Sequence, residues 1–329
     1  MNLITTLKNF KNHLKYKPVI QNYNNFSYHP KFLIIGMGGS HLAGDLLKIY
    51  NPSLDLFIRQ NYNLPPLNLQ SLKKYLIIFI SYSGNTEEVI SACEESIKKQ
   101  LKNQVVISKG GKLLEIAKKY KIPYIQLPDI DTQPRFATVV MIKALLKVMK
   151  QNKALKELED LANYFNPLDL REKGKIFAQK LFGYIPIIYA SENNFALAYN
   201  WKIKFNETSK IPAFCNFFPE LNHNEMSGFD FKTSNNCFKK FYFLFLFDDS
   251  DDERIKKRML VLEKILQEKN FVLEKIILKQ YQNIFYKIFD NLIFGDWVTY
   301  YLAQLYKVDP ENVVLIERFK KLIKETDIL

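Results

Sequence analysis

The sequence predicts an α/β fold made of two doubly wound, parallel-sheet domains in tandem. The 329 residues are more than one ordinary core accommodates, so two domains are expected. Short apolar runs alternate with helical segments, a pattern typical of a parallel sheet with helices on both faces. The alternation stops in a charged stretch at 150–175 and then begins again, which places the domains at 1–150 and 151–329.

Residues 1–30 are predicted to form a polar helix and a connecting segment. The rest of the first domain is predicted to contain five strands. The strands fall at 32–35, 54–58, 75–80, 104–107 and 124–127. The helices fall at 41–49, 86–100, 112–120 and 138–149. Ligands of such sheets bind beyond the carboxyl ends of the strands, so the loops at those ends are the candidate site.

The second domain repeats this architecture without a clear residue-level repeat. Its strands are predicted at 185–189, 241–247 and 271–278. Its helices are predicted at 193–205, 252–269, 281–306 and 311–324. The segment 206–230 is predicted to be a loop, and the stretch 150–175, broken at Asn166-Pro167, to be the inter-domain connection.

The composition is that of a soluble globular protein, with 47% apolar residues and a mean hydropathy of −0.17. Apolar runs such as 241–247 are too short to span a membrane, and the polar first 17 residues do not resemble a signal peptide. The net charge of +13 comes from scattered lysines, which favours a solvated surface over a nucleic-acid interface. Three cysteines without paired spacing, Cys93, Cys215 and Cys237, predict neither zinc nor disulfides and favour the cytoplasm.

The stretch Ser81-Tyr82-Ser83-Gly84-Asn85-Thr86-Glu87-Glu88 lies between a buried strand and a helix and is the candidate phosphate site. Free N–H groups at the start of a helix, with its positive dipole end, bind anions. Helix capping needs one hydroxyl followed by a glutamate. Here three hydroxyls, of Ser81, Ser83 and Thr86, surround Gly84, so we predict that the loop binds phosphate.

The run Gly36-Met37-Gly38-Gly39-Ser40 follows the first strand and invites a dinucleotide-binding interpretation. The third glycine of that fingerprint would fall at position 41, which is His41. A backbone lining for a sugar, with Gly39 and Ser40 contributing amides or a hydroxyl, fits these residues better. We therefore expect no nicotinamide cofactor.

Arg135 precedes the long apolar helix 138–149, and Pro134 fixes the turn before it. A guanidinium held at the strand ends suits a phosphate or an enediolate. The alternative is a surface arginine near a helix start, where its charge opposes the dipole. The functional interpretation is therefore favoured.

The segments 206–212 and 219–225 form the densest polar cluster of the chain and contain Glu207 and His223. Proton-transfer chemistry uses a carboxylate base and an imidazole, which exchanges protons near neutral pH. Taken singly, Glu207 could be a surface carboxylate paired with Lys210, and His223 a loop histidine. Their occurrence in one loop predicts a proton-transfer site. The spacing does not match a zinc site.

Six motifs and their order along the chain resemble those of the bifunctional phosphoglucose/phosphomannose isomerase family, which has the sugar-isomerase (SIS) fold. They are GMGGS at 36–40, RQNYNLP at 59–65, SYSGNTEE at 81–88, QPRFA at 133–137, NETSK at 206–210 and PELNHNE at 219–225. The resemblance covers nearly the whole chain. It implies two SIS domains and an enzyme that interconverts glucose 6-phosphate and fructose 6-phosphate through a cis-enediolate, without metal or cofactor.

The resemblance also implies roles for individual residues. Ser40, Ser81, Ser83 and Thr86 would bind the phosphate and the sugar, Arg135 would stabilise the enediolate, Glu207 would be the base and His223 would assist ring opening. A lysine near the C-terminus would assist as well, at Lys320 or the adjacent Lys321. The family further suggests a homodimer in which His223 enters the partner's site.

The chain departs from the family pattern at Glu311-Asn312, where a Thr-Pro-like pair is expected after Asp309-Pro310. A threonine in that region is linked to room for the mannose epimer, so activity on glucose 6-phosphate is expected before activity on mannose 6-phosphate. Two alternatives are a sugar-phosphate-sensing SIS regulator and an isomerase of another sugar phosphate or aminosugar phosphate. A regulator would dispense with Glu207 and His223, and this chain keeps both.

Overall fold

The structure is a computed structural model that describes residues 3–130, 132–230, 239–281 and 283–326. The strands of its first sheet are β1 (Lys31–Ile35), β2 (Leu56–Arg59), β3 (Tyr75–Ser81), β4 (Gln104–Ser108) and β5 (Tyr124–Gln126). All are parallel, in the order β2-β1-β3-β4-β5. The central strands are almost entirely buried, as continuous apolar runs require. The predicted doubly wound sheet is confirmed.

The helices of this half are α1 (Leu3–Lys8), α2 (Phe10–Lys15), α3 (Gly39–Tyr50), α4 (Leu69–Leu72), α5 (Glu87–Lys98), α6 (Gly111–Lys119) and α7 (Thr138–Val148). The first two correct the prediction of one polar N-terminal helix. Leu3, Leu7, Phe10 and Leu14 are buried, and their spacing of three and four residues places them on one side. The N-terminal segment is therefore part of the core.

The second sheet consists of β6 (Ile185–Ser191), β7 (Phe214–Phe218), β8 (Phe241–Asp248) and β9 (Val272–Leu278). Its strands are parallel, in the order β7-β6-β8-β9. This repeats the order of the first four strands of the first sheet, so β8 corresponds to β3. The two differ at the carboxyl end, because β3 ends in Ser81 and β8 ends in Asp248.

Strand β7 corrects the prediction of a loop over 206–230. It is the edge strand beside β6, and its sequence is FCNFF. Phe214 is exposed and only Phe218 is buried, so the run lacks the alternation that identifies a half-buried strand. Prolines at 212 and 219 on either side further obscure it.

The helices of the second half are α8 (Asn152–Asp160), α9 (Arg171–Leu181), α10 (Phe195–Lys204), α11 (Glu253–Glu268), α12 (Ile284–Tyr306) and α13 (Val314–Glu325). The last two begin later than the predicted 281 and 311. Asn283 determines the start of α12, because its side-chain oxygen accepts a hydrogen bond from the N–H of Phe285 at 2.9 Å.

The largest cluster of buried apolar side chains spans both halves. It includes Ile34 and Ile78 of the first sheet and Ile188 and Leu244 of the second, and each half has a smaller cluster of its own. Helix α12 packs against α9 and α10, and α10 also contacts α3 of the first half. The boundary predicted after residue 150 falls between α7 and α8, and it stays a prediction.

Helix α13 differs from the other long helices because each of its described side chains is exposed. Leu315, Phe319, Leu322 and Ile323 follow the three- and four-residue spacing of one helix face. The helix thus presents an apolar face to solvent.

The described cysteines, Cys93 and Cys215, are free, and Cys237 lies outside the described residues. Burial raises the pKa of Cys93 to about 12 and that of Cys215 to about 11, so both are neutral thiols. Within the described ranges no helix is long and apolar enough to cross a membrane. The same residues contain no cluster of three His, Cys, Asp or Glu side chains that would hold a metal ion.

Candidate active site

Arg135 is the residue around which the site is built. It lies in a short 3-10 turn, Pro134–Phe136, immediately before α7, and its side chain is only 1% exposed. Its Nη1 donates to Oε2 of Glu207 at 3.0 Å, and its Nε donates to Oγ1 of Thr208 at 3.2 Å. Its Nη2 donates to the carbonyl of Pro310 at 2.7 Å. The guanidinium therefore joins the first domain, the turn after α10 and the segment after α12.

Nearby carboxylates favour the charged form of Arg135. Burial is the largest influence and lowers the pKa of Arg135, while Glu207, Glu311 and Asp296 act in the opposite direction. A guanidinium stays protonated in proteins, so the site contains a permanent buried cation. Such a cation stabilises negative charge strongly because water does not screen it.

Glu207 lies in a π-helical turn, Phe205–Ser209, that continues α10. Turns of this type occur often at functional sites. The turn is fixed by Ser209, whose hydroxyl donates to the carbonyl of Thr299 on α12 at 2.8 Å. The Glu207 side chain is 27% exposed, so the carboxylate that accepts from Arg135 is also accessible from outside.

Lys210 follows this turn in a left-handed conformation, with φ of 57°. Its ammonium donates to the backbone carbonyl of Glu207. The structure therefore does not show the Glu207–Lys210 carboxylate pair that a plain surface role would involve. Burial first, and then the charge of Arg135, lowers the pKa of Lys210.

The candidate phosphate loop joins β3 to α5 and is held by its own hydroxyls. Thr86 occupies the N-cap position of α5, but its hydroxyl makes no capping bond. It lies 2.8 Å from Oγ of Ser81, which also accepts a hydrogen bond from the N–H of Gly84 at 3.1 Å. Ser83 is exposed on the same loop, and its Oγ accepts from the N–H of Asn85 at 3.3 Å. The capping explanation thus fails for Thr86.

Gly84 allows this loop to pack against the neighbouring loop after β4. Its φ is 74°, and a Cβ atom built there would lie 1.7 Å from the carbonyl oxygen of Gly110. Ser108 supports the contact, because its hydroxyl donates to the same carbonyl at 2.8 Å. Only glycine meets both conditions at position 84.

The loop 36–40 contacts both the candidate phosphate loop and the segment that carries Arg135. The hydroxyl of Ser40 accepts a hydrogen bond from the N–H of Tyr82 at 3.0 Å. A Cβ atom at Gly39 would lie 2.8 Å from the backbone nitrogen of Arg135, so glycine permits the close approach of these segments. The GMGGS, SYSGNTEE and QPRFA motifs are therefore neighbours in space.

His223 lies at the end of a 3-10 turn, Glu220–His223, and is exposed. Its segment is anchored by Glu225, whose Oε1 accepts from the hydroxyl of Tyr189 at 2.5 Å. The other oxygen of Glu225 accepts from the side-chain amide of Asn216. The loop is thus attached to β6 and β7, while the His223 imidazole makes no hydrogen bond to the described residues.

Lys320 and Lys321 lie on the exposed helix α13. Nζ of Lys320 bonds to Oε1 of Glu317 at 2.8 Å, and Nζ of Lys321 lies 3.9 Å from Oε1 of Glu325. The described part of the chain therefore brings Arg135 and Glu207 together, but it does not place either lysine against them.

Sequence reasoning missed the partners of Arg135 beyond Glu207. Thr208 is adjacent to Glu207, so the NETSK motif could have suggested it. The carbonyl of Pro310 carries no sequence signal, because any residue provides one. Glu311 was noted only as a departure from the family, and its Oε1 in fact accepts the N–H of Leu3 at 2.7 Å.

The two parallel sheets and the family match at 170–323 identify a sugar-isomerase (SIS) domain protein. Residues 170–323 match the family model "Bacterial phospho-glucose isomerase C-terminal SIS domain". Among solved structures, glucosamine-6-phosphate deaminase from Thermotoga maritima superposes with a TM-score of 0.66. It is 15% identical, and the match covers 94% of this chain and 96% of that one.

Curated relatives narrow the class further. The bifunctional phosphoglucose/phosphomannose isomerase of Aquifex aeolicus is 34% identical over 94% of this chain and 98% of its own. The protein of the same name from Thermoplasma acidophilum is 35% identical over 88% of this chain and 89% of its own. This chain belongs to the bifunctional phosphoglucose/phosphomannose isomerase family, and the resemblance seen in the motifs is confirmed.

Replacing Gly84 by alanine tests the packing of the candidate phosphate loop. An alanine at positive φ costs about 1–2 kcal/mol, and the clash with Gly110 adds to it. Gly183 is the matched control, because its φ is 89° but its Cβ position is open. We expect urea denaturation to show a larger loss of unfolding free energy for Gly84→Ala than for Gly183→Ala. Equal losses would contradict the described contact between the two loops.

Proposed function

We propose that this protein is an aldose–ketose isomerase that interconverts glucose 6-phosphate and fructose 6-phosphate through a cis-enediolate. The observation that carries the proposal is the contact between Arg135, a buried permanent cation, and Glu207, an accessible carboxylate, at 3.0 Å. A base beside a fixed cation suits a reaction that removes a proton and creates an oxyanion. Membership of the family supports the same assignment.

The reaction begins with ring opening, in which the C1–O5 bond breaks while His223, assisted by Lys320, removes the proton of the anomeric hydroxyl and returns a proton to the ring oxygen. Glu207 then removes the proton from C2 of the open aldose. The electron pair of that bond forms the C1–C2 double bond, and the carbonyl oxygen at C1 becomes an oxyanion that Arg135 stabilises. Glu207 returns the proton to C1, while the hydroxyl proton at O2 moves to O1, which leaves the ketose.

One carboxylate suffices for both transfers because C1 and C2 are adjacent and present the same face to it. Every step moves only protons, either between the sugar and a side chain or from O2 to O1 of the sugar, so the mechanism uses no metal and no redox cofactor. Ser81, Ser83 and Thr86, with the free N–H groups of α5, bind the phosphate in this proposal. Gly39 and Ser40 line the sugar.

We assign the preferred substrate as glucose 6-phosphate, with mannose 6-phosphate second. Glu311 stands where the family pattern has a threonine. Its backbone carbonyl lies 3.3 Å from Nη2 of Arg135, so this position belongs to the surroundings of the site. The Glu311 carboxylate binds the N–H of Leu3, and the chain lacks the threonine that the family pattern links to room for the mannose epimer.

We further propose a cytoplasmic homodimer in which His223 completes the partner's site, with no nucleic-acid partner. Two features support it: His223 is exposed on an anchored loop, and α13 carries an apolar face in solvent. Apolar faces of this kind are typical of protein–protein contacts. An arrangement across a twofold axis would give each site one imidazole from the other chain.

The two alternative functions are not favoured. A sugar-phosphate-sensing regulator would have no use for Glu207 placed on Arg135. An isomerase of another sugar phosphate or aminosugar phosphate would share the phosphate loop. The assay below tests it separately by supplying an aminosugar phosphate as the substrate.

A coupled assay of the purified protein tests the activity. The substrate is fructose 6-phosphate, and the two products, glucose 6-phosphate and mannose 6-phosphate, are measured separately. We expect a higher kcat/KM for the formation of glucose 6-phosphate than for the formation of mannose 6-phosphate. Glucosamine 6-phosphate supplied as the alternative substrate should give no turnover. Binding of fructose 6-phosphate without any product would instead support the regulator.

Glu207→Gln tests the base. Glutamine keeps the shape and can still contact Arg135, but it cannot accept a proton. We expect kcat to fall by roughly 10²–10⁴-fold while KM changes little, because the base acts in the transition state. Exchange of the C2 hydrogen with solvent deuterium should disappear as well. If turnover and exchange persist, the base is another carboxylate, with Glu220 or Glu225 next to be tested.

Complementation tests the dimer. Glu207→Gln and His223→Ala chains carrying different affinity tags are co-expressed, and the heterodimer is purified through both tags. If His223 acts in the partner's site, one of the two sites is intact, and we expect about half the wild-type activity. A site built from a single chain would leave both sites of the heterodimer defective, so no activity would return.

A further inference from the structure

Lys204 and Asp296 form a buried ion pair next to the Arg135–Glu207 contact. Their side chains are 2% and 8% exposed. Nζ of Lys204 donates to Oδ1 of Asp296 and, at 2.9 Å, to the carbonyl of Leu292 one turn earlier on α12. Buried ion pairs are costly and often add no stability. A pair at this place therefore calls for a role other than stabilising the fold.

The pair fixes the turn that carries Glu207. Lys204 is the last residue of α10, and the π-helical turn begins at the next residue. Lys204 attaches the start of the turn to α12, and Ser209, through the carbonyl of Thr299, attaches its end to the same helix. Glu207 is thus held between two anchors on one rigid element.

The pair also adjoins Arg135. A cavity of about 20 Å³ is lined by Arg135, Lys204 and Asp296 together with Thr6, Thr138 and apolar side chains. This volume accommodates one water molecule with polar partners. Burial is the largest influence on the pKa of each of these three groups. In addition, Asp296 raises the pKa of Arg135, and Arg135 lowers the pKa of both Lys204 and Asp296.

We propose that Lys204 and Asp296 are positioning residues for the isomerase reaction, holding Glu207 in place and balancing the charge around it. The inference rests on the proposed role of Glu207 as the base. Arg135 and Lys204 are cationic, and Glu207 and Asp296 are anionic, so the four charges sum to zero. Removing one member of the pair changes the charge that Glu207 experiences, whereas removing both does not.

Other charged and titratable groups also face the Glu207 turn, and none of them is altered in the variants below. They are Tyr199 on α10, Lys210 after the turn, and Asp309 and Glu311 after α12.

The first experiment measures the pH profile of kcat/KM for Lys204→Met. In this variant the Asp296 carboxylate loses its ammonium partner, and Arg135, a permanent cation that acts on it, favours its ionised form. The unpaired carboxylate favours protonation of a nearby carboxylate, so we expect the acid limb of the profile to move to higher pH by about one unit, with kcat about tenfold lower because one anchor of the turn is lost. An acid limb at the wild-type pH would overturn the charge-balancing role.

The second experiment uses Lys204→Met/Asp296→Leu, which leaves no unpaired charge and resembles buried pairs that are replaced without loss of folding. We expect its acid limb at the wild-type pH, because neutrality is kept. With one anchor of the turn lost, kcat should be about tenfold lower while KM stays within about threefold. A wild-type kcat in this variant would overturn the positioning role.

The matched control is the other buried pair on α12, in which Nζ of Lys287 donates to Oδ2 of Asp248 at 2.7 Å. Lys287→Met/Asp248→Leu should change thermal stability but neither the acid limb nor kcat. Glu207→Gln separates the two proposals. If that variant keeps the wild-type acid limb and turnover, the assignment of the base fails, whatever the pair does.

Discussion

The bonds of one guanidinium connect the parts of this molecule that form its site. Arg135 comes from the first domain, Glu207 and Thr208 follow α10 of the second, and the Pro310 carbonyl follows α12. A buried guanidinium needs acceptors for its donors, since each unsatisfied group would cost about 1–3 kcal/mol or more. That requirement fixes the three segments relative to one another. Glu207 lies beside the cation because the guanidinium requires an acceptor there.

Local sequence pattern predicted the fold almost completely. Apolar runs identified both sheets, except for β7, whose half-buried edge position removes the alternation on which recognition depends. The N-terminal helices were taken as polar although Leu3, Leu7, Phe10 and Leu14 share one side. The helices are short, and charged residues lie between these four positions.

The candidate site was predictable where its chemistry is concentrated in short motifs. Gly39, Ser40, Ser81, Thr86, Arg135 and Glu207 were all named from such motifs, and the structure brings the motifs of the first domain together. Contacts that depend on distant segments were not predictable. Lys204 and Asp296 lie 92 positions apart, and the Pro310 carbonyl is a group that every residue has. Such contacts follow from the packing of α10 on α12, which no local pattern encodes.

The repeated strand order of the two sheets has a consequence for stoichiometry. Where β3 leads into hydroxyls and amides, β8 leads into Asp248, Asp249, Asp251 and Asp252. Carboxylates at that end of the second sheet repel a phosphate, and Lys287 is already engaged with Asp248. The duplicated architecture therefore offers an anion cradle on one half only. Under the proposed function, each chain is therefore expected to bind a single equivalent of sugar phosphate, while the second half holds Glu207 in place.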